Sequence, residues 1–211
     1  MRGRLLSIYR EMSTEYRLWS TGRKTQDTKL PDWWPADSPY EVMVGAILAQ
    51  NTNWKNVEKA IVNLKEANAL DPKTILETGN SKLETLIRSS GFYRQKAKRL
   101  KLATQKWLAI RKLETQNRKL KTAELREAWL SVKGIGKETA DSILLYAFNR
   151  PIFVIDAYTR RFCKHHDLFE SKEYDDYRLF FESNLPRSVI LYKRYHGMIV
   201  EWGKSVSRSR S

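Results

Sequence analysis

Residues 132–140 read Val-Lys-Gly-Ile-Gly-Lys-Glu-Thr-Ala, and this stretch constrains the fold more than any other. Two glycines one residue apart, Gly134 and Gly136, permit a tight turn with positive φ and a bare backbone. Ile135 between them can anchor the turn by burial. Apolar residues recur at helical spacing on both sides, so the stretch joins two helices. Thr122 caps the first, which ends near Val132, and the second covers Glu138–Phe148. The second helix begins at about Lys137, and its unpaired N–H groups point out at the turn. Together they form a nest for an anion, suited to one phosphate of a nucleic-acid backbone. Lys133 and Lys137 add charge there without reading bases. A glycine turn between helices can also be purely structural; the flanking lysines in so basic a chain favour phosphate.

The basic character is strong and uneven. Lysine and arginine number 39 against 24 acids, a formal charge of +15. Twelve bases fall between Arg88 and Lys121, with Glu114 the sole acid among them. Clustered cations of this kind gain affinity for a polyphosphate by releasing counterions, whatever the base sequence. Seven Trp, ten Tyr and seven Phe exclude a disordered basic tail, because such tails lack the aromatics for a core. One cysteine, Cys163, excludes an intrachain disulfide, a four-cysteine zinc site and a four-thiolate iron–sulfur cluster. His165 and His166 lie close to it without a second ligand cluster, so no metal site is expected there. No apolar run reaches the ~18 residues of a membrane span, and Met1–Arg10 lacks a secretory core. The expected setting is intracellular, cytoplasmic or nucleoid-associated, with no membrane partner.

Helical patterning runs through the chain. An opening helix carries Leu5, Ile8, Tyr9 and Met12; prolines keep Leu30–Pro35 out of helix. Ser38-Pro39 starts a buried helix through Leu48, and Asn51–Leu64 continues as another. Short helices follow at Asp71-Pro72 and Ser81, then a long basic one over Arg94–Leu113. Ile152–Ile155 could be a strand, but with no second strand it reads as a buried extended connection. Helices resume at Ala157–His165, around Tyr174–Glu182 and over Ser188–Gly203, while Lys204–Ser211 is expected to fray. The predicted class is all-α. Asp156, following the apolar run Ile152–Ile155, is either a helix N-cap or an acid held out to do chemistry.

Four separated stretches together carry a resemblance: Ile47-Leu48-Ala49-Gln50-Asn51-Thr52, Gly91-Phe92-Tyr93-Arg94-Gln95-Lys96-Ala97, the Gly134–Gly136 hairpin, and Val154-Ile155-Asp156. In this order they resemble the helix-hairpin-helix DNA glycosylases of the endonuclease III superfamily. The resemblance implies two helical subdomains flanking a DNA-binding cleft. One is a six-helix barrel over 38–149 with the hairpin motif at about 122–148; the other joins 1–37 to 150–211. It also implies that Asp156 is the catalytic aspartate and that Gln50 and Phe92 intercalate where a nucleotide has been flipped out. Lys133, Gly134, Gly136, Lys137 and Thr139 would hold phosphate, with a monovalent cation at the hairpin backbone in many relatives. Strand-cleaving members place a lysine immediately before the hairpin Thr-Ala; here Glu138 stands there. Lys137 is one residue earlier, about 100° around a helix, so a monofunctional enzyme is expected: base removed, strand intact.

The missing cysteine quartet, together with Trp33-Trp34-Pro35 and the Tyr195–Lys204 tail, is similar to the endonuclease-III-related 3-methyladenine DNA glycosylases. That branch implies a base pocket holding Trp33, Trp34, Trp54 and Lys204, no iron–sulfur cluster, and damaged double-stranded DNA as substrate of a monomer. Indoles suit a cationic flat base through stacking and cation–π attraction, at roughly 0.5–2 kcal/mol each. His196, eight residues before Lys204 on the last helix, could border the cleft or be structural. Same-fold excision of uracil, mismatched thymine or an oxidised base, and a non-catalytic DNA-binding module, are the alternatives that sequence leaves open.

Overall fold

The computed structural model describes residues 1–20 and 34–208. In chain order its helices are α1 (Arg2–Ser20), α2 (Pro39–Leu48), α3 (Trp54–Glu66), α4 (Pro72–Glu77), α5 (Asn80–Leu86), α6 (Tyr93–Thr115), α7 (Thr122–Leu130), α8 (Lys137–Ser142), α9 (Ala157–His165), α10 (Tyr174–Asn184) and α11 (Val189–Arg208). The fold is all-α, with no strand among the described residues. It divides into two compact units, Met1–Pro35 with Asn149–Ser211, and Ala36–Phe148.

The Ala36–Phe148 unit is built on α2, nine of whose ten residues are buried. Ser38 caps it by accepting the Glu41 N–H at 3.1 Å, and Pro39 takes the first helical position, where an amide donor is not needed. Around α2 pack Val57, Ile61 and Leu64 of α3, Leu100, Ala103 and Trp107 of α6, and the apolar stretch Ile143–Ala147, while Leu125 and Trp129 of α7 are buried against α6 and α8. Each such large apolar side chain contributes about 1.5–3 kcal/mol by leaving water. Tyr40 and Thr104 join their hydroxyls at 2.7 Å inside this core. The hairpin helices α7 and α8 are locked by a fork: Arg126 Nε and Nη2 donate to the fully buried Asp141 carboxylate at 2.7 and 3.1 Å.

Two elements of this unit differ from their sequence pattern. The segment expected as one helix over Glu138–Phe148 is α-helical only to Ser142, then widens into a π-helical stretch, Ile143–Ala147, with Phe148 N donating to Ile143 O at 3.2 Å. Thr122 does not cap α7; Lys121 does, its N–H bonded by the Glu124 carboxylate at 2.7 Å.

In the other unit, α1, α9, α10 and α11 enclose an aromatic core. Phe153 and Phe181 stack with ring centres 4.1 Å apart, and Tyr195 donates to Leu5 O at 3.0 Å. Ile152–Ile155 is a buried extended connection. Its amides find side-chain partners instead of a second strand: Phe153 N–H reaches Glu182 Oε1 at 2.9 Å and Ile155 N–H the Tyr174 hydroxyl at 3.2 Å. The tail corrects the sequence reading. Residues 204–208, expected to fray, continue α11, because Ile199, Trp202 and Gly203 keep one face of the helix packed. Trp202 meets the Phe162 ring at 5.4 Å, and Gly203 leaves room for Tyr158: a Cβ there would overlap its ring.

Candidate functional site

Asp156 ends the buried extended run and begins α9. It is the N-cap: Oδ1 accepts from the Thr159 amide at 2.7 Å and from the Thr159 hydroxyl at 2.9 Å. The second oxygen, Oδ2, lies 3.6 Å from His196 Nε2 on α11. Capping therefore occupies one carboxylate oxygen and leaves the other for a different use. The Asp156 side chain is 15% exposed and that of His196 4%. Burial pushes the Asp156 carboxyl up, but the His196 imidazole and the two Thr159 donors outweigh it and hold the group below the usual carboxylate range. Sequence reading left the role of His196 open. Forty residues separate it from Asp156, so no local pattern could pair them. Lys204 is half-buried on the same helix, its ammonium 2.7 Å from Glu201 Oε1.

The hairpin has the turn its glycines permit, with a division of labour between them. Only Gly134 is left-handed, at φ +88°; Gly136 has φ −90° and serves as the N-cap of α8. A Cβ on Gly134 would run into the Arg99 side chain, 2.8 Å from Cδ, whereas one on Gly136 would meet nothing within 4 Å. The first glycine is thus required by backbone and packing, and the second keeps the helix start bare. Ile135 is buried beneath, while Lys133 and Lys137 are exposed, as is Glu138. Thr139, expected with the phosphate-binding set, does not turn its side chain outward. It is buried, and its hydroxyl accepts from Gln50 Nε2 at 3.0 Å, because the third residue of α8 faces α2.

Gln50 and Phe92, the two expected wedges, differ in posture. Gln50 follows the end of α2 and lies along the hairpin: Nε2 also donates to Gly134 O at 3.1 Å, and Oε1 accepts from Arg99 Nη1 at 2.7 Å. Phe92 stands out, 61% exposed, at the N-cap of α6 with φ 46° and ψ 28°. Gly91 before it is also at positive φ. A left-handed phenylalanine exposed to water costs conformational energy without a packing return. Beside it Phe92, Tyr93, Arg94 and Gln95 line a shallow hollow of about 270 Å³.

Lys96 corrects the reading of the basic run. It is fully buried, donating to Leu48 O at 2.7 Å and Ser90 O at 2.6 Å, and burial lowers its ammonium to about 8. Rather than adding to the surface field, it ties the end of α2 to the turn before Phe92. Of the expected pocket tryptophans, Trp33 lies outside the described residues. Trp34 is half-buried in the unit containing Asp156; Trp54 is half-buried at the start of α3, in the unit containing the hairpin. Asp156, His196 and Lys204 belong to the first of these units, and Gln50, Phe92 and the hairpin to the second. No group of acids, histidines and cysteine suited to a metal ion occurs among the described residues. No helix there is long and apolar enough to cross a membrane.

Residues 44–187 match the family model of the HhH-GPD superfamily base excision DNA repair proteins. A Methanocaldococcus jannaschii protein assigned as a DNA repair glycosylase is 48% identical over 185 residues, covering 85% of this chain and 83% of its own. The crystal structure of H. pylori 3-methyladenine DNA glycosylase (MagIII) bound to 1,N6-ethenoadenine superposes with TM-score 0.77 at 32% identity, over 95% of this chain and 97% of that one. An endonuclease III trapped on DNA as a covalent intermediate shares the fold, with TM-score 0.70 at 18% identity over 94% of this chain and 84% of that one. The match over residues 44–187 and the all-helical frame agree: the chain belongs to the HhH-GPD superfamily of base excision DNA repair proteins.

Proposed function

We propose that this chain is a monofunctional DNA glycosylase that flips an alkylated purine of the 3-methyladenine type out of duplex DNA and hydrolyses its N-glycosidic bond. The observation that carries the reading is Asp156: a carboxylate held ionised, with one oxygen anchored by Thr159 and the other directed to His196. As the bond breaks, positive charge develops on the deoxyribose, and a fixed carboxylate stabilises it while orienting water. Water adds to the sugar carbon, its proton passes to the carboxylate or solvent, and the bond electrons leave with the base. A 3-methylated adenine is already cationic and departs neutral, so the protein needs to capture it more than to protonate it. Indole faces suit that capture, and the likeness to the H. pylori enzyme across nearly the whole chain supports this class of base.

DNA would be held by Lys133, Lys137 and the bare start of α8 through phosphate, and opened by Phe92. Val132 O, Gly134 O and Gly136 O each accept one hydrogen bond inside the protein, and a carbonyl has two lone pairs. The monovalent cation that the family resemblance implies at the hairpin backbone would draw on unused carbonyl lone pairs of this kind. The chain is read as working without an iron–sulfur cluster, since its one cysteine, Cys163, is buried with its thiol pushed up to about 12. Glu138 in place of a Schiff-base lysine supports base removal without strand cleavage.

The deciding experiment is base release from methylated duplex DNA, with products identified by chromatography. Free 3-methyladenine and an intact abasic strand are expected. Asp156→Asn should bind the duplex as wild type does and release no base. Full activity in that variant, or a covalent adduct trapped by borohydride, would overturn the mechanism.

A further inference from the structure

We propose that Arg99 is a positioning residue for base excision: its guanidinium fixes the Gln50 side chain to the hairpin, so that wedge and phosphate-binding turn answer to DNA as one body. This rests on the reading of Gln50 as a group that enters the space left by the flipped base.

The geometry is over-determined. Gln50 spends its whole amide on the hairpin side: Nε2 on Gly134 O and Thr139 Oγ1 at 3.1 and 3.0 Å, Oε1 on Arg99 Nη1 at 2.7 Å. Reversing the amide would set an NH₂ against a guanidinium and an oxygen against a carbonyl, so only one orientation is satisfied. Arg99 is itself held. Its stem occupies the place of the missing Gly134 Cβ, its Nη2 donates to Gln95 Oε1 at 3.2 Å, and the flanking Ala97 and Leu100 root this turn of α6 in the core. Three distant stretches of sequence, at residues 50, 99 and 134–139, thus meet in a single polar knot.

An arginine in so basic a helix would by default contact phosphate, and its neighbour Lys98 is exposed as that role requires. Arg99 instead aims its charge at two glutamine oxygens. A phosphate drawn to the hairpin meets a turn whose Gly134 carbonyl is bonded to Gln50, and Gln50 is bonded to Arg99. Removing the guanidinium takes away the one partner of Gln50 Oε1 and leaves the amide held through Nε2 alone, while the exposed lysines that supply affinity stay in place. Misplacing a group that orients the reacting partner costs roughly 10- to 100-fold in rate. The loss should therefore appear in the single-turnover excision rate and not in duplex affinity.

A double-mutant cycle tests this, using single-turnover base release from methylated duplex by wild type, Arg99→Ala, Gln50→Ala and the double variant. Arg99→Ala should lose roughly 10-fold or more in the wild-type background and nothing further in the Gln50→Ala background. The salt dependence of duplex binding should be unchanged. Arg99→Lys, which keeps the charge but loses the fork, should not restore the rate. Losses that multiply, a salt slope reduced by about 1, or full rescue by lysine would each make Arg99 a phosphate contact and overturn the proposal. If wild type releases no base at all, the reading of function fails and this inference with it; release by wild type with multiplying losses sinks the inference alone.

Discussion

Replacing Gly134 with alanine adds one methyl group at a backbone φ of +88° and directly against the Arg99 stem. The left-handed backbone costs an L-residue roughly 1–2 kcal/mol. The methyl would lie 2.8 Å from Arg99 Cδ and 3.0 Å from Cγ, so the side chain must move as a whole and give up its bond to Gln50. A charge-assisted bond of this kind contributes about 1.5 kcal/mol at the lower end of its range. The sum is about 3 kcal/mol, which for a chain of this size lowers the melting temperature by roughly 6–12 °C. Gly136 is the internal control. At φ −90° with nothing within 4 Å, alanine gains about 0.4–1 kcal/mol from a less flexible unfolded chain. It loses a similar amount because alanine is a poorer N-cap than glycine. Thermal melts of the two variants by circular dichroism should therefore separate them clearly, with Gly136→Ala close to wild type. Equal melting temperatures, or a lower one for Gly136→Ala, would refute the division of labour between the glycines.

The His196 imidazole lowers the Asp156 carboxyl, so His196→Gln should raise it and move the acid limb of the excision pH profile to higher pH; an unmoved limb removes His196 from the electrostatics of the site. Because Asp156 titrates below its unfolded value of about 4, its contribution to stability is present above that pH and fades as pH falls through the lower folded value. The stability advantage of wild type over Asp156→Asn, read by denaturant unfolding, should shrink as pH falls below about 4. Lys96 works in the opposite range. Its folded ammonium gives up its proton near 8 while the unfolded one keeps it to about 10.4. Wild type should therefore gain stability over Lys96→Met as pH rises through that window, and a flat difference would show that the group is not buried as described. Phe92→Ala should melt like wild type, because the ring is exposed, yet lose roughly 5- to 100-fold in excision from duplex, the worth of one stacked base; unchanged excision would rule out the wedge.

Much of this frame was readable in one dimension because its causes are local. Ser38-Pro39 and Asp71-Pro72 start helices through bonds made within three residues, and the glycine pair sets a turn wherever it occurs. Asp156 was legible as a cap for the same reason; its spacing also left a chemical role open, and the family resemblance favoured that role. The π-helical stretch after Ser142 and the helical tail beyond Gly203 were missed, since packing along a whole face decides them rather than the residue types at the ends.

By itself the amino-acid order determined the helical class, the basic surface, the hairpin and the aspartate that follows it, all of which depend on neighbours within a turn or two. Only the tertiary structure decided what each polar side chain touches. It took Lys96 out of the surface charge, turned Thr139 inward, set His196 beside Asp156 and closed Gln50, Arg99 and Gly134 into one knot. The physical reason is that burial and hydrogen bonding are properties of neighbours in space, and the fold brings these together from positions tens of residues apart.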